Sequence, residues 1–132
     1  MITVPIGPAL LAVFLGAGIG ACLRYALGET LNHVLPQMPL GTLAANLIGG
    51  YLVGVAIGFF AWRTDLSLLW RLALITGFLG GLTTFSTYSA EVVNAFARGE
   101  AGWALGIALS HLAGSLLLTL LGLATVRTLI TP

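Results

Sequence analysis

The chain has 132 residues, of which 58% are hydrophobic and only 7% are charged, and its mean hydropathy is +1.06. A soluble domain carries about 25% charged residues, so this chain lacks the polar surface of a soluble protein and is predicted to be a membrane protein. A net charge of +1 with no lysine excludes the basic patch that nucleic-acid binding requires. No basic region precedes the first apolar run, so that run is interpreted as a retained span, not a cleaved signal peptide.

Four stretches reach the roughly 20 apolar residues that cross a bilayer, namely 9–30, 40–62, 68–96 and 103–129. The connections between them are too short for a soluble domain. Residues 1–132 are therefore predicted to form a single all-α transmembrane domain with both termini on one side. The third stretch is longer than a straight span needs, which leaves room for a break in that helix.

Small residues recur every four positions on three of the spans. The series are Ala12, Gly16 and Gly20; Gly50, Gly54 and Gly58; and Gly102, Gly106, Ser110 and Gly114. Such faces let helix backbones approach closely, so the spans are predicted to pack tightly with one another or with a second subunit. The lone cysteine, Cys22, lies in an apolar run and is predicted to be a small buried residue.

Glycines and hydroxyls crowd together at residues 76–91, TGFLGGLTTFSTYSAE. Glycine weakens a helix, and Ser and Thr hydroxyls bond backbone or ligand. In hydrocarbon, non-helical backbone persists only where it is buried in protein or lines a wet cavity. This stretch therefore predicts a third helix broken near mid-membrane at an ion or substrate site. A glycine packing cluster with back-bonded hydroxyls is the alternative.

Two further spans carry polar side chains where hydrocarbon makes them expensive. Asn46 lies one turn before Gly50, on the glycine face of its span, where its amide either donates to an anion or cross-links helices. His111, Ser115 and Thr119 follow at four-residue spacing and predict a polar track along one face. The alternatives are hydroxyls bonded to their own helix and a histidine satisfied at an interface.

The remaining candidates carry aromatic rings or charge. Phe85 and Tyr88 share a helix face, where positive ring edges could meet an anion or form a core pair. Glu91 could orient hydroxyls, bind a proton or pair with an arginine. Arg24 could draw anions into a vestibule or snorkel to headgroups. No spacing singles out a catalytic set, a metal-ligand cluster or a phosphate loop, so no enzyme is predicted.

The arginines give almost no orientation signal. One side of the membrane would hold Arg63, Arg71 and Arg127, and the other Arg24 and Arg98. Because a Lys and Arg bias sets topology, a chain with three against two could insert both ways up. An antiparallel homodimer is then possible.

Together these residues resemble the Fluc (CrcB) family of small fluoride channels. The matching motifs are GACLRY at 20–25, GTLAANLIGG at 41–50, GFLGGLTTFSTYSAE at 77–91 and GSLLLT at 114–119. They lie in all four spans and in family order. The resemblance therefore covers essentially the whole chain, and the third motif is the most specific.

The resemblance implies an antiparallel, dual-topology homodimer in the bacterial inner membrane, embedded in lipid, with two fluoride pathways at the subunit interface. Its activity would be passive fluoride export that relieves fluoride toxicity. It also implies a structural sodium ion held by the backbone carbonyls of Gly80 and Thr83. The implied pathway residues are Arg24, Asn46, Phe85, Ser86, Thr87, Tyr88, Glu91 and Ser115.

Two positions depart from the family pattern, and two other functions remain open. Tyr88 replaces the second pore phenylalanine, and Ile107 stands where some relatives carry a tyrosine.

The main alternative function is a small proton-coupled multidrug transporter that uses Glu91, and the other is a membrane scaffold without transport. Proton dependence of transport would separate the transporter from the channel.

Overall fold

A computed structural model describes residues 4–130, and over that range the regular elements are all helices. Four helical segments are long and apolar enough to cross a membrane, with mean hydropathies from 1.4 to 2.1. This confirms the predicted all-helical membrane fold. The elements are α1 (Ile6–Leu31), α2 (Leu40–Trp62), α3 (68–82), α4 (Phe85–Ala97) and α5 (Ala101–Ile130).

The third segment, which contains α3 and α4, changes geometry along its length. Leu68–Arg71 is α-helical, Leu72–Leu79 is π-helical, and Gly80–Leu82 is α-helical again. Thr83 and Thr84 then have extended backbones, and regular helix resumes at Phe85. Long π-helical stretches are rare and often accompany functional sites. The segment is thus irregular on one side of Thr83 and regular on the other.

Glycines lie at two close helix crossings. Where α1 meets α3, a Cβ at Gly20 would overlap the backbone of Phe78, and one at Gly81 would overlap that of Ala17. Where α2 meets α5, a Cβ at Gly54 would overlap the carbonyl oxygen of Thr119. Only glycine allows these backbones to touch, as the small-residue pattern predicted for α1 and α2.

The first half of α5 makes no such contact within the chain. A Cβ at Gly102 or Gly106 would meet nothing within 4 Å, whereas Gly122, outside the predicted series, lies against the backbone of Tyr51. Cys22 is also exposed, not buried as predicted. The Cys22 prediction was wrong because an exposed position in an apolar span accepts the same small apolar residues as a helix interface.

Local side chains fix the ends of the helices. Asn32, in the loop before α2, accepts hydrogen bonds through Oδ1 from the N–H groups of Gly41 (2.8 Å) and Thr42 (3.1 Å). α4 ends at Ala97, and the turn that follows contains Gly99, whose φ of 78° is accessible to glycine without strain. Between α2 and α3, the Arg63 guanidinium bonds the Asp65 carboxylate and lowers its pKa to about 2, so Asp65 is ionised at neutral pH.

We expect Gly54→Ala to destabilise the protein by about 1–3 kcal/mol, because the added methyl forces α2 away from α5. The matched control is Gly18→Ala on α1, where a Cβ meets nothing within 4 Å. The apparent melting temperature in detergent, followed by gel filtration after heating, measures both. Equal melting temperatures for the two variants would contradict the crossing.

Candidate functional site

The interruption between α3 and α4 is held by the side chain of Asn46. Thr84 has φ −149° and ψ 120°, so the backbone is extended here and the Thr84 N–H lies outside the helical hydrogen-bond pattern of α3. Asn46 Oδ1 accepts from the Thr84 N–H at 2.7 Å, and Asn46 Nδ2 donates to the Thr84 carbonyl at 2.9 Å. Because unpaired backbone groups are costly away from water, this pair of hydrogen bonds stabilises an extended residue inside an apolar segment.

Thr84 also begins the next helix. Its Oγ1 accepts from the N–H of Thr87 at 3.2 Å, which is the bond an N-cap residue makes. The hydroxyl of Ser86 lies 3.3 Å from the same oxygen. The hydroxyls of this stretch therefore cap and brace the chain at the point where it leaves helical geometry.

Asn46 reaches a third element through His111 on α5. Asn46 Nδ2 lies 2.9 Å from His111 Nδ1. The amide has two hydrogens, and these contacts give each of them an acceptor, one at Thr84 and one at His111. The sequence left two roles open for Asn46, donation to an anion and cross-linking of helices. In this geometry Asn46 cross-links helices.

The aromatic residues extend the contact from α4 to α5. The rings of Phe85 and Tyr88 meet edge to face at 5.3 Å and 71°, as their spacing suggested. Tyr88 stacks on the imidazole of His111 at 4.8 Å and 22°. Phe85 is 77% exposed, so the pair is not a buried core pair within the chain.

These groups surround a cleft of about 290 Å³, which we call the His111 cleft. The predicted stripe of His111, Ser115 and Thr119 lines it, so the three side chains share one face as expected. Thr119 donates to the carbonyls of Ser115 (2.9 Å) and Gly50 (3.0 Å), as the self-bonding alternative proposed. The other lining residues include Asn46, Gly50, Thr83, Thr84, Phe85 and Tyr88.

A second cleft, of about 460 Å³, lies on the other side of Thr84, and we call it the Arg24 cleft. Arg24 Nε donates to the Gly81 carbonyl at 3.0 Å, so the guanidinium binds α3. Thr84 lines both clefts, which places the interruption between them. The remaining lining residues are Tyr25, Gly28, Glu29, Asn32, His33, Thr42 and Thr87.

Glu91 is bonded to a residue that the sequence did not single out. Thr42 Oγ1 donates to Glu91 Oε1 at 2.6 Å, and Glu91 Oε2 is buried without a hydrogen-bond partner among the described residues. Thr42 lies one helical turn before Asn46, so the i, i+4 spacing places both on one face. That spacing was the signal that could have found it.

The structure divides the predicted pathway residues between the two clefts. Asn46, Phe85, Tyr88 and Ser115 line the His111 cleft, and Arg24 and Thr87 line the Arg24 cleft. Ser86 and Glu91 line neither. Ile107, one of the two departures, is 1% exposed, packs in a core with Ala95 and Ala104, and lines neither cleft.

Comparison with known proteins places this arrangement among small membrane proteins. Residues 11–123 match the family described as CrcB-like protein, Camphor Resistance (CrcB). The fluoride-specific ion channels FluC of Burkholderia pseudomallei strain 668 and Burkholderia mallei strain SAVP1 are each 56% identical over 124 residues, which cover 94% of this chain and 97% of each relative. The protein of the same name from Burkholderia vietnamiensis strain G4 is 58% identical over 118 residues, or 89% of this chain and 92% of the relative.

We expect Thr42→Val to destabilise the protein by about 1–3 kcal/mol, because it removes the hydrogen bond to a half-buried carboxyl group without changing the side chain's shape. Thr42→Ser keeps the hydroxyl and is expected to keep most of the stability. Apparent melting temperatures in detergent compare the three proteins. A valine variant as stable as the serine variant would mean that the Thr42–Glu91 bond contributes nothing.

Proposed function

The chain belongs to the CrcB-like protein family, and we propose on that premise that it is a fluoride-specific ion channel. The observation that carries the proposal is the match, over nearly the whole chain, to relatives that bear this name. The family resemblance seen in the motifs is thereby confirmed. The activity is conduction through a membrane and not catalysis, and these relatives do not favour a multidrug transporter.

The chemistry of the clefts suits a small anion. Fluoride holds its water tightly, so a pathway must replace that water with several close donors and positive edges. The His111 cleft offers the Ser115 hydroxyl and the ring edges of Phe85 and Tyr88. The Arg24 cleft adds a fixed cation and the Thr87 hydroxyl, and Ser86 and Glu91 would stand beside the path. In the cell, such a channel would export fluoride passively across the inner membrane.

The exposed aromatic face supports assembly with a second copy of the chain. Phe85 is largely uncovered, although it lies beside polar groups that an ion path would use. A partner subunit covering Phe85 would close the His111 cleft of each chain into a path, which gives two paths per pair. The weak arginine bias allows the partner to insert the other way up, so the proposed assembly is an antiparallel homodimer with the interruption near mid-membrane.

Backbone oxygens at the interruption fit a structural sodium ion. In a continuous helix, Gly80 and Thr83 would accept from the N–H groups of Thr84 and Thr87. Those N–H groups bond Asn46 Oδ1 and Thr84 Oγ1 instead, so neither carbonyl keeps its helical partner. When bound, sodium would be held by the Gly80 and Thr83 carbonyls of the two subunits and would supply a positive charge between them. Residues 4–130 hold no cluster of three or more His, Cys, Asp or Glu side chains that could hold a metal, so backbone oxygens are the ligands proposed.

Fluoride efflux from proteoliposomes, followed with a fluoride electrode, tests the channel. We expect fast fluoride efflux and no chloride efflux from the wild type, and at least a tenfold loss, about 1.4 kcal/mol, in Asn46→Asp. The aspartate places a negative charge beside the path and removes both donor hydrogens of the amide. If chloride leaves wild-type proteoliposomes as fast as fluoride, or if an intact wild-type assembly gives no efflux, the proposal is wrong.

A single cysteine in the α2–α3 loop tests the antiparallel arrangement. On a Cys22→Ala background, we expect a membrane-impermeant maleimide to modify about half of an Asp65→Cys protein in intact cells, because half of the loops face outward. Asp65 is exposed, and losing its ion pair with Arg63 is expected to cost little. The same reaction after lysis gives the total. Labelling of all or none of the protein in intact cells would contradict dual topology.

A further inference from the structure

The Asn46 contacts determine the protonation of His111. The Thr84 backbone N–H can only donate, so the Asn46 atom at 2.7 Å from it must be the carbonyl oxygen, and the atom beside His111 must be the amide nitrogen. That nitrogen can only donate. His111 Nδ1 is therefore the acceptor, and the proton of the neutral ring lies on Nε2.

The Nε2–H of His111 has no acceptor within the described residues. His111 is 3% exposed, and its Nε2 is a buried atom without a hydrogen-bond partner. An unpaired buried N–H costs free energy comparable to a lost hydrogen bond, so such a group is normally satisfied by a ligand or water. The imidazole belongs to the wall of the His111 cleft, beside Ser115 and the stacked Tyr88 ring.

Asn46, unlike His111, has no unpaired N–H. Both of its amide hydrogens already have acceptors, at Thr84 and at His111. An anion in the cleft can take a hydrogen from Asn46 only by breaking one of these bonds, whereas the His111 Nε2–H has no hydrogen bond to break within the described residues.

We propose that His111 is the nitrogen donor that the His111 cleft presents to a partly dehydrated anion, and that Asn46 positions it by fixing its tautomer. The inference rests on the proposed fluoride function and adds a ligand to it. The ring donates while neutral, so it replaces one water of the ion without adding a charge that would trap it.

Two substitutions separate the two nitrogens of the ring. In His111→Asn, the amide oxygen can stand where Nδ1 stood and accept from Asn46, but the donor at the Nε2 position is lost. In His111→Gln, the longer amide can supply a donor near the Nε2 position, while the acceptor for Asn46 is lost.

We expect His111→Asn to lose at least about tenfold in fluoride efflux, and His111→Gln to recover part of that loss because it restores a donor near the Nε2 position. Elution of the purified assembly and its melting temperature check that both variants fold. The reverse order, with the asparagine variant active and the glutamine variant slow, would assign His111 to anchoring Asn46 and overturn the proposal. A wild type without fluoride efflux would instead overturn the proposed function itself.

A spectroscopic measurement gives an answer even if a variant fails to fold. The chain has two histidines, so 15N-histidine labelling gives two imidazoles, and the variant His33→Gln assigns them. We expect His111 to be the neutral Nε2–H tautomer in lipid, with an Nε2 resonance that moves when sodium fluoride replaces sodium chloride. A proton on Nδ1, a doubly protonated ring, or a resonance insensitive to fluoride would overturn the assignment.

Discussion

Backbone polar groups have no solvent partners in a hydrocarbon layer, and Thr84 is where this constraint acts most strongly on the chain. A residue in extended geometry between two helical stretches must find partners for the polar groups that the helices leave unpaired. Asn46 bonds the Thr84 N–H at 2.7 Å and the Thr84 C=O at 2.9 Å. The pairing resembles a single rung of a β-ladder made by a side chain, and it ties α2 to the point where α4 begins.

Those short bonds require that the helices approach closely. Gly54 lies two turns beyond Asn46 on α2, at the crossing where a methyl group would overlap the α5 backbone. That crossing brings α5 near enough for His111 to lie 2.9 Å from Asn46. Glycine packing and polar pairing are thus consecutive parts of one helix face, because the first sets the distance that the second needs.

Hydropathy and spacing were enough to predict the four helical segments and the polar stripe of α5, because both follow from a single helix at a time. Contacts between segments could not be predicted from the sequence. Nothing near Asn46 in sequence indicates that Thr84 and His111 take both of its amide hydrogens. Thr42 could have been selected from its spacing to Asn46, but its bond to Glu91 spans 49 positions. Gly106 and Gly122 look equivalent in sequence, and only the crossing of α2 and α5 distinguishes them.

The lack of solvent partners in hydrocarbon divides the polar groups of the site into two sets. Groups that hold the interruption together, such as the Asn46 amide and the Thr84 hydroxyl, have their hydrogen-bonding capacity committed to the protein. Groups that meet a passing ion must keep theirs uncommitted while remaining fixed in place. A residue bonded through one atom and free at another, as His111 is, meets both requirements, because the first bond removes the orientational freedom that the second would otherwise have to overcome. A narrow anion path through lipid therefore depends as much on the residues that never touch the ion as on those that do.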